Sequence, residues 1–314
     1  MARIGTTDLD VLPLNLGGNV FGWTADERAS TAVLDAFVAE GGSFVDTADA
    51  YSQWVDGHEG GESEEVLGRW MASRQNRADV VVATKVGKHA RFPGTSRASV
   101  RGAVDQSLKR LQTDYVDLYY AHADDPGTPL EETVAALGEV VAAGKARYVA
   151  ASNFSAERLA EALRIADELG VARFVALQPH YNLVHRDEYE GPLQELAVRE
   201  GLGVLPYSSL ASGFLTGKYR DGGPAVDSPR AGGAARYLDD RGRRVLGVLD
   251  EIAAAHGTSV TAVSLAWLRV QPGVVAPIAS ARSVAQLPDL LAGARLDLAV
   301  DELAALEAVS APRA

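Results

Sequence analysis

Gly41-Gly42-Ser43-Phe44-Val45-Asp46-Thr47-Ala48-Asp49-Ala50-Tyr51 reads as the hinge of a repeating unit. The glycine pair stops a preceding helix. Phe44 and Val45 close a short buried strand, Asp46 stands where strand gives way to loop, and Tyr51 follows one short turn later. A carboxylate and a phenol are thereby delivered to one rim. The same order recurs along the chain: an aliphatic run, a polar residue at its end, a loop, then an amphipathic helical segment.

Outward toward the N-terminus, Leu14 to Gly17 reads as the first inner strand and Gly17 to Gly22 as a glycine-rich loop suited to close backbone approach. Asp26 is placed to cap a helix whose apolar positions Val33, Leu34, Phe37 and Val38 recur at helical spacing. Ala2 to Pro13 alternates polar and apolar residues around Thr7-Asp8, which predicts a small hairpin able to plug one end of a barrel.

Outward toward the C-terminus, a helix from Ser63 precedes the buried strand Val80-Val81-Val82-Ala83-Thr84-Lys85. Further strands are expected at Val116 to His122, at Ala146 to Ala151 ending in Ser152-Asn153, at Phe174 to Leu177 ending in Gln178, at Gly203 to Pro206, and at Val274 to Ile278. Helical spacing falls between them, with two helical segments, Leu238 to His256 and Val260 to Val270, before the last strand. A long glycine-rich loop is expected from Tyr207 to Arg236, and a terminal helix near Asp301 to Val309.

Strands alternating with helices imply a parallel sheet. Eight strand markers (Leu14, Phe44, Val80, Val116, Ala146, Phe174, Gly203 and Val274) are the number that closes an α/β (β/α)8 TIM barrel. An open doubly wound sheet is the alternative, but its G-x-G-x-x-G fingerprint is missing, and polar residues end nearly every strand, as a barrel's active-site face requires. The expectation is one domain over residues 1–314, with an N-terminal β-hairpin and extra helices before the eighth strand and at the C-terminus.

Composition narrows the function. Of 314 residues, 47% are hydrophobic and 23% charged, as in folded globular chains. A net charge of -12 argues against a nucleic-acid face. With no cysteine there is no thiolate metal site, disulfide or cysteine nucleophile, which fits a cytoplasmic protein. No apolar run reaches about 18 residues and Met1 to Asp10 is unlike a signal peptide, so no membrane is addressed. Asp56, His58 and Glu59 are too irregularly placed for a metal site, and none is expected.

Asp46, Tyr51, Lys85 and His122 come from strand ends that a barrel brings together. A phenol is a weak acid, with an unperturbed pKa of about 10. Beside an ammonium group its anion forms more easily, and it can hand a proton to a carbonyl oxygen gaining charge. Aspartate keeps the lysine charged and aimed, and a neutral imidazole can hold the carbonyl oxygen. Taken singly each has a plainer reading: Tyr51 as packing, Lys85 and Asp46 as a structural pair, His122 as a core histidine.

These residues resemble the aldo-keto reductases, NAD(P)H-dependent carbonyl reductases on a (β/α)8 barrel. The likeness spans almost the whole chain. It is carried by Phe44-Val45-Asp46-Thr47-Ala48 with Tyr51, by Ser63-Glu64 and Leu67-Gly68, and by Ser107-Leu108-Lys109-Arg110-Leu111 with Thr113-Asp114-Tyr115-Val116-Asp117-Leu118 running to His122. The resemblance implies Tyr51 as the acid, Lys85 and Asp46 tuning it, and His122 orienting the carbonyl. It implies Ser152, Asn153 and Gln178 on the nicotinamide carboxamide, Tyr207 stacked on the ring, and Ser208, Leu210, Gly213 and Lys218 along the pyrophosphate, with Gly18 and Asn19 as further cofactor contacts.

At the adenosine end relatives commonly carry Pro-Gly-[Ala/Ser]-Arg and Gln-Leu-x-Glu-Asn. This chain has Ala279-Ser280-Ala281-Arg282 and Gln286-Leu287-Pro288-Asp289-Leu290. Arg282 remains a partner for a ribose 2′-phosphate and Ser280 adds a hydroxyl, so NADPH is expected with NADH not excluded. Phe21, Trp23 and Trp54, with His89 and Phe92 beside them, are candidate walls of a substrate pocket for a small carbonyl compound. Two rivals remain: a Schiff-base aldolase using Lys85, and a nicotinamide-sensing binding module with negligible turnover, as in relatives attached to ion channels.

Overall fold

The computed structural model describes residues 1–220, 228–229 and 231–312, so part of the long glycine-rich loop lies outside the described residues. The chain opens with the antiparallel hairpin of β1 (Ala2–Arg3) and β2 (Asp10–Val11). There follow β3 (Asn15–Gly17), α1 (Glu27–Ala39), β4 (Phe44–Asp46), α2 (Glu62–Arg74), β5 (Val81–Val86), a small hairpin of β6 (Lys88–His89) and β7 (Phe92–Pro93), α3 (Arg97–Leu111), and β8 (Val116–Ala121). The second half runs α4 (Leu130–Ala142), β9 (Ala146–Ser152), α5 (Ala156–Leu169), β10 (Phe174–Gln178), α6 (Pro192–Arg199), β11 (Gly203–Val204), α7 (Ala231–Ala235), α8 (Asp240–His256), α9 (Val260–Arg269), β12 (Ile278–Ala279), α10 (Leu287–Arg295) and α11 (Val300–Ser310).

The eight main strands pair in the order β11-β10-β9-β8-β5-β4-β3-β12, every pair parallel. The two ends of this sheet meet. Val204 N donates to Gly273 O at 2.9 Å, Val275 N to Val204 O at 2.8 Å, and Ile278 N to Pro206 O at 2.9 Å. The fold is therefore a closed (β/α)8 barrel. Its seam is irregular because Pro206 and Pro277 have no N–H to give a ladder, which is why the regular strand is only Ile278–Ala279 and shares just Ile278 with the expected Val274 to Ile278.

Side chains alternate across each strand. Phe44, Ala83, Leu118, Tyr120, Ala150 and Ala176 point inward and cluster with Leu205. Their neighbours Val45, Val82, Tyr119, Val149 and Leu177 point outward into a larger shell shared with helical residues such as Leu34, Leu67, Leu137 and Leu163. Burial on both faces explains the continuous apolar strands. Ile4, Leu9 and Val11 of the first hairpin join the inner cluster. Gly5, at φ +52, crosses so near β10 and β11 that a Cβ would lie 2.3 Å from Val175 O. The hairpin thus plugs the N-terminal end of the barrel, and the opposite end is left for a site.

Candidate active site

The alternation that buries Phe44, Ala83, Tyr120, Ala150 and Ala176 inward puts the residue two further on at the inner face of the same strand end. Those residues are Asp46, Lys85, His122, Ser152 and Gln178. Lys85 and Asp46 are almost fully buried, at 0% and 1% exposure, with Lys85 Nζ 2.6 Å from Asp46 Oδ2. The ammonium also donates to Thr47 O at 2.7 Å and to the Tyr51 hydroxyl at 3.0 Å, and Tyr51 OH lies 3.1 Å from Asp46 Oδ2. Gln178 Nε2 donates to Asp46 Oδ1 at 2.9 Å. Burial pulls the Lys85 ammonium below the usual lysine range, opposed chiefly by the Asp46 charge. The His122 ring meets the Tyr51 ring edge-on with centroids 6.1 Å apart. Burial first, then the Lys85 and Lys88 charges, hold His122 well below its ordinary range, so its imidazole is neutral at physiological pH.

The motif residues behind this group hold it in register. Thr47 Oγ1 donates to Ser63 Oγ at 2.8 Å, and Ser63 Oγ donates to Gly18 O at 2.8 Å, so α2 ties the Asp46 strand to the first loop. Glu64 accepts from Thr84 Oγ1 at 2.5 Å and from Arg110 Nε at 2.7 Å, which fixes the strand carrying Lys85.

A cleft of about 400 Å³ runs from Tyr51 and His122 to Arg282 and Gln286. Asn19, Ser152, Asn153, Gln178, Tyr207 and Ser208 line it, as do Leu210, Gly213, Lys218 and Ser280. Asn153 and Ser208 hold left-handed φ values of 56° and 53°. The strain at Asn153 is held by its side chain, which donates to His122 O at 2.8 Å and accepts from Tyr207 OH at 2.8 Å. Ser280 Oγ donates to Asn19 Oδ1 at 2.7 Å, joining the ends of β12 and β3. Gln286 Oε1 accepts from Arg282 N at 2.7 Å, whereas the Arg282 guanidinium has no hydrogen-bond or ion-pair partner among the described residues.

Four of the expected cofactor and pocket positions do not line the cleft. Gly18 does not line the cleft: it packs between Asp46 O and Ser63 Oγ, where a Cβ would come within 2.9 Å of each, and Gly17 faces the cleft instead. Phe21 is not a pocket wall. It is fully buried in the outer shell, because the loop turns its ring under the backbone toward the helices. Trp23 and Trp54 do not line the cleft either; they stand edge to face at 5.5 Å on the rim beside Tyr51, with Trp54 53% exposed and 6.3 Å from the Tyr51 ring. His89 and Phe92, candidate pocket walls, pair across the β6–β7 hairpin, which the sequence reading does not mark.

Three features escape sequence reasoning. Lys88 lines the cleft with Tyr51 and His122. Asp49 is fully buried with no hydrogen-bond partner on either carboxylate oxygen, and burial, then Glu64, push it up to about 8. His185, His180 and Tyr207 form a ring stack, with spacings of 3.6 Å and 5.2 Å, that backs Tyr207. Glu188 brings that pair's ligand atoms into a group within 4.8 Å, but parallel stacked rings would leave an ion bound to both out of each ring plane. Only the alternation of Asp46, Lys85 and His122 with core residues carries a sequence signal; a buried acid in a loop carries none.

Comparison with known proteins agrees with this geometry. The family model described as Aldo/keto reductase family matches residues 13–311. Protein tas of Escherichia coli (strain K12) is 32% identical over 98% of this chain and 96% of its own length. Norsolorinic acid reductase B of Aspergillus parasiticus is 35% identical over 95% of this chain and 80% of its own. A probable voltage-gated potassium channel subunit beta of Oryza sativa subsp. japonica is 36% identical over 91% and 88%. No described helix is long and apolar enough to cross a membrane. With a closed barrel, a lysine–aspartate–tyrosine cluster at its C-terminal mouth and a match over nearly every residue, this chain belongs to the aldo/keto reductase family, a family of nicotinamide-linked oxidoreductases.

Proposed function

We propose that residues 1–314 form one barrel domain that reduces an aldehyde or ketone to an alcohol with NADPH. The observation that carries this reading is the Tyr51 hydroxyl held 3.0 Å from a fully buried ammonium at the inner end of the cleft. Tyr51 gives its proton to the carbonyl oxygen; the Lys85 charge eases formation of the phenolate; Asp46 and Thr47 O keep Lys85 aimed; and the neutral His122 imidazole donates to the same carbonyl oxygen. Ser152, Asn153, Gln178 and Tyr207 are the residues to hold the nicotinamide, Ser208 to Lys218 the pyrophosphate, and Ser280, Arg282 and Gln286 the adenosine end. The unpartnered Arg282 guanidinium at the far end of the cleft fits an anionic ligand there. When bound, the cofactor supplies the hydride. The test is cofactor oxidation across aldehydes, quinones and keto-sugars, NADPH and NADH side by side, with norsolorinic acid added because one relative is named for it. No oxidation of either cofactor with any of them would remove the reading.

Lys85→Met is expected to lower kcat about a hundredfold, within the range of general acid catalysis, because no cation then eases phenolate formation. Wild-type kcat in that variant would remove Lys85 from the mechanism. Lys85 Nζ already donates to three oxygens, which weighs against an amine free to attack a carbonyl, so borohydride with substrate should leave no reduced adduct on it. The likeness to a potassium channel subunit beta keeps a sensing role as a second reading; cofactor binding without turnover on the whole panel would favour it.

For Arg282→Ala the expected loss is selective. A charged hydrogen bond contributes on the order of 1.5 to 3 kcal/mol, so the Kd for NADPH should rise roughly ten- to a hundredfold, while that for NADH barely moves. Equal losses for both in a fluorescence titration would make Arg282 a support of the loop rather than a reader of the 2′-phosphate.

A further inference from the structure

The cleft carries a charge pattern unlike the rest of the chain. The protein has a net charge of -12, yet the only acid lining the cleft among the described residues is Asp46, already paired with Lys85. Three cations line it: Lys218, Arg282 and Lys88. The first two lie toward the end given above to the cofactor. Lys88 stands at the carbonyl end with Tyr51 and His122, and beyond its charge on His122 no role above is given to it.

Its position is fixed by the backbone. Gly87, at φ +115, turns the chain after β5 in a conformation that favours glycine. The β6–β7 hairpin is then clamped by Gln53, which donates to Lys88 O at 2.9 Å and accepts from Ala90 N at 3.2 Å. Lys88 is exposed at the mouth, and its side chain makes no hydrogen bond or ion pair with the described residues. Crowding by protein, and then the Lys85 charge, hold its ammonium below lysine's ordinary range. A cation pressed by another cation, with no anion of its own, is stabilised by any anion that enters beside it.

We infer that Lys88 is a substrate-specificity residue: it recognises an anionic group, carboxylate or phosphate, carried by the carbonyl substrate a few bonds from the reacting carbon. This rests on the carbonyl-reductase reading for its orientation, but not for its charge chemistry. Trp54 and Trp23, on the same rim, are placed to cover the apolar part of such a molecule.

Two matched pairs test it: 4-carboxybenzaldehyde against its methyl ester, and glyceraldehyde 3-phosphate against glyceraldehyde. In the wild type kcat/KM is expected to favour the anion of at least one pair by roughly tenfold, as one partly screened charge pair allows. Salt should shrink the ratio, Lys88→Met should bring it near one, and Lys88→Arg should restore it. Which pair responds distinguishes a carboxylate from a phosphate. Tryptophan quenching by 4-(hydroxymethyl)benzoate and by glycerol 3-phosphate gives a readout without turnover. Lys88-dependent binding of either anion with no reduction of any aldehyde would keep the anion site and remove the reductase reading. Reduction with no preference for either anion, or a preference that survives Lys88→Met, would overturn the proposal, as would the absence of Lys88-dependent binding in a protein without turnover.

Discussion

Tyr51→Phe is expected to lower kcat for NADPH-linked carbonyl reduction by about a thousandfold, mid-range for general acid catalysis, while the Kd for NADPH stays near wild type. The change removes one oxygen and keeps the ring. That ring stays framed by Trp54 at 6.3 Å and His122 at 6.1 Å, so the shape of the cleft mouth is preserved. Lys85 keeps its two shorter contacts, 2.6 Å to Asp46 Oδ2 and 2.7 Å to Thr47 O, and loses only the contact at 3.0 Å. The buried ion pair therefore remains compensated and the barrel should fold as before. What disappears is the proton the carbonyl oxygen needs as charge builds on it. An interaction made only in the transition state lowers kcat and kcat/KM together. Single-turnover kinetics beside a cofactor fluorescence titration separates the cases. A rate within a few-fold of wild type would strip Tyr51 of its role as acid, and a parallel collapse of NADPH affinity would make it a binding residue instead.

The sequence made the inner face of the barrel legible because parity along a strand is rigid. Once Phe44, Ala83 and Tyr120 are assigned inward, Asp46, Lys85 and His122 must follow them, whatever the loops do. Legibility stops where the chain leaves the strands. Gly18 and Phe21 sit in the same loop as Asn19, yet only Asn19 reaches the cleft; the turn that decides this depends on Ser63, 45 residues from Gly18 in sequence and bonded to its carbonyl oxygen. The β6–β7 hairpin leaves no mark in the sequence because each strand has two residues and its clamp, Gln53, comes from another loop. The barrel seam is less regular than its aliphatic content suggests, because Pro206 and Pro277 interrupt the runs that read as strand. Asp49 shows nothing of its charge state in the sequence, since its surroundings come from Glu64, Arg110 and Lys85 in three other elements.

Asp49 gives the second large effect, on stability rather than rate. Its carboxyl is fully buried, neither oxygen is hydrogen-bonded, and Glu64 nearby adds repulsion that Arg110 and Lys85 only partly offset. The folded chain therefore holds this proton up to about pH 8, against an ordinary value of 3.8. The sign follows from linkage. Between those values the folded state binds a proton that the unfolded state has released, so raising the pH draws the equilibrium toward unfolding. The contribution of Asp49 is thus most favourable below about pH 4, is lost progressively as pH rises to about 8, and is level above that. At about 1.4 kcal/mol per pH unit, a rise of this size corresponds to several kcal/mol across the window. Asp49→Asn replaces the carboxyl with a neutral group of nearly the same shape that does not titrate. Any cost of burying the amide is the same at every pH, so the difference between the two proteins isolates the one proton. In urea unfolding at a series of pH values, the variant should gain on the wild type through pH 4 to 8, reaching several kcal/mol, and the gap should then stay constant. Parallel curves at every pH would mean that Asp49 is charged and compensated in the folded chain, and that it supports Lys85 as a permanent counter-charge.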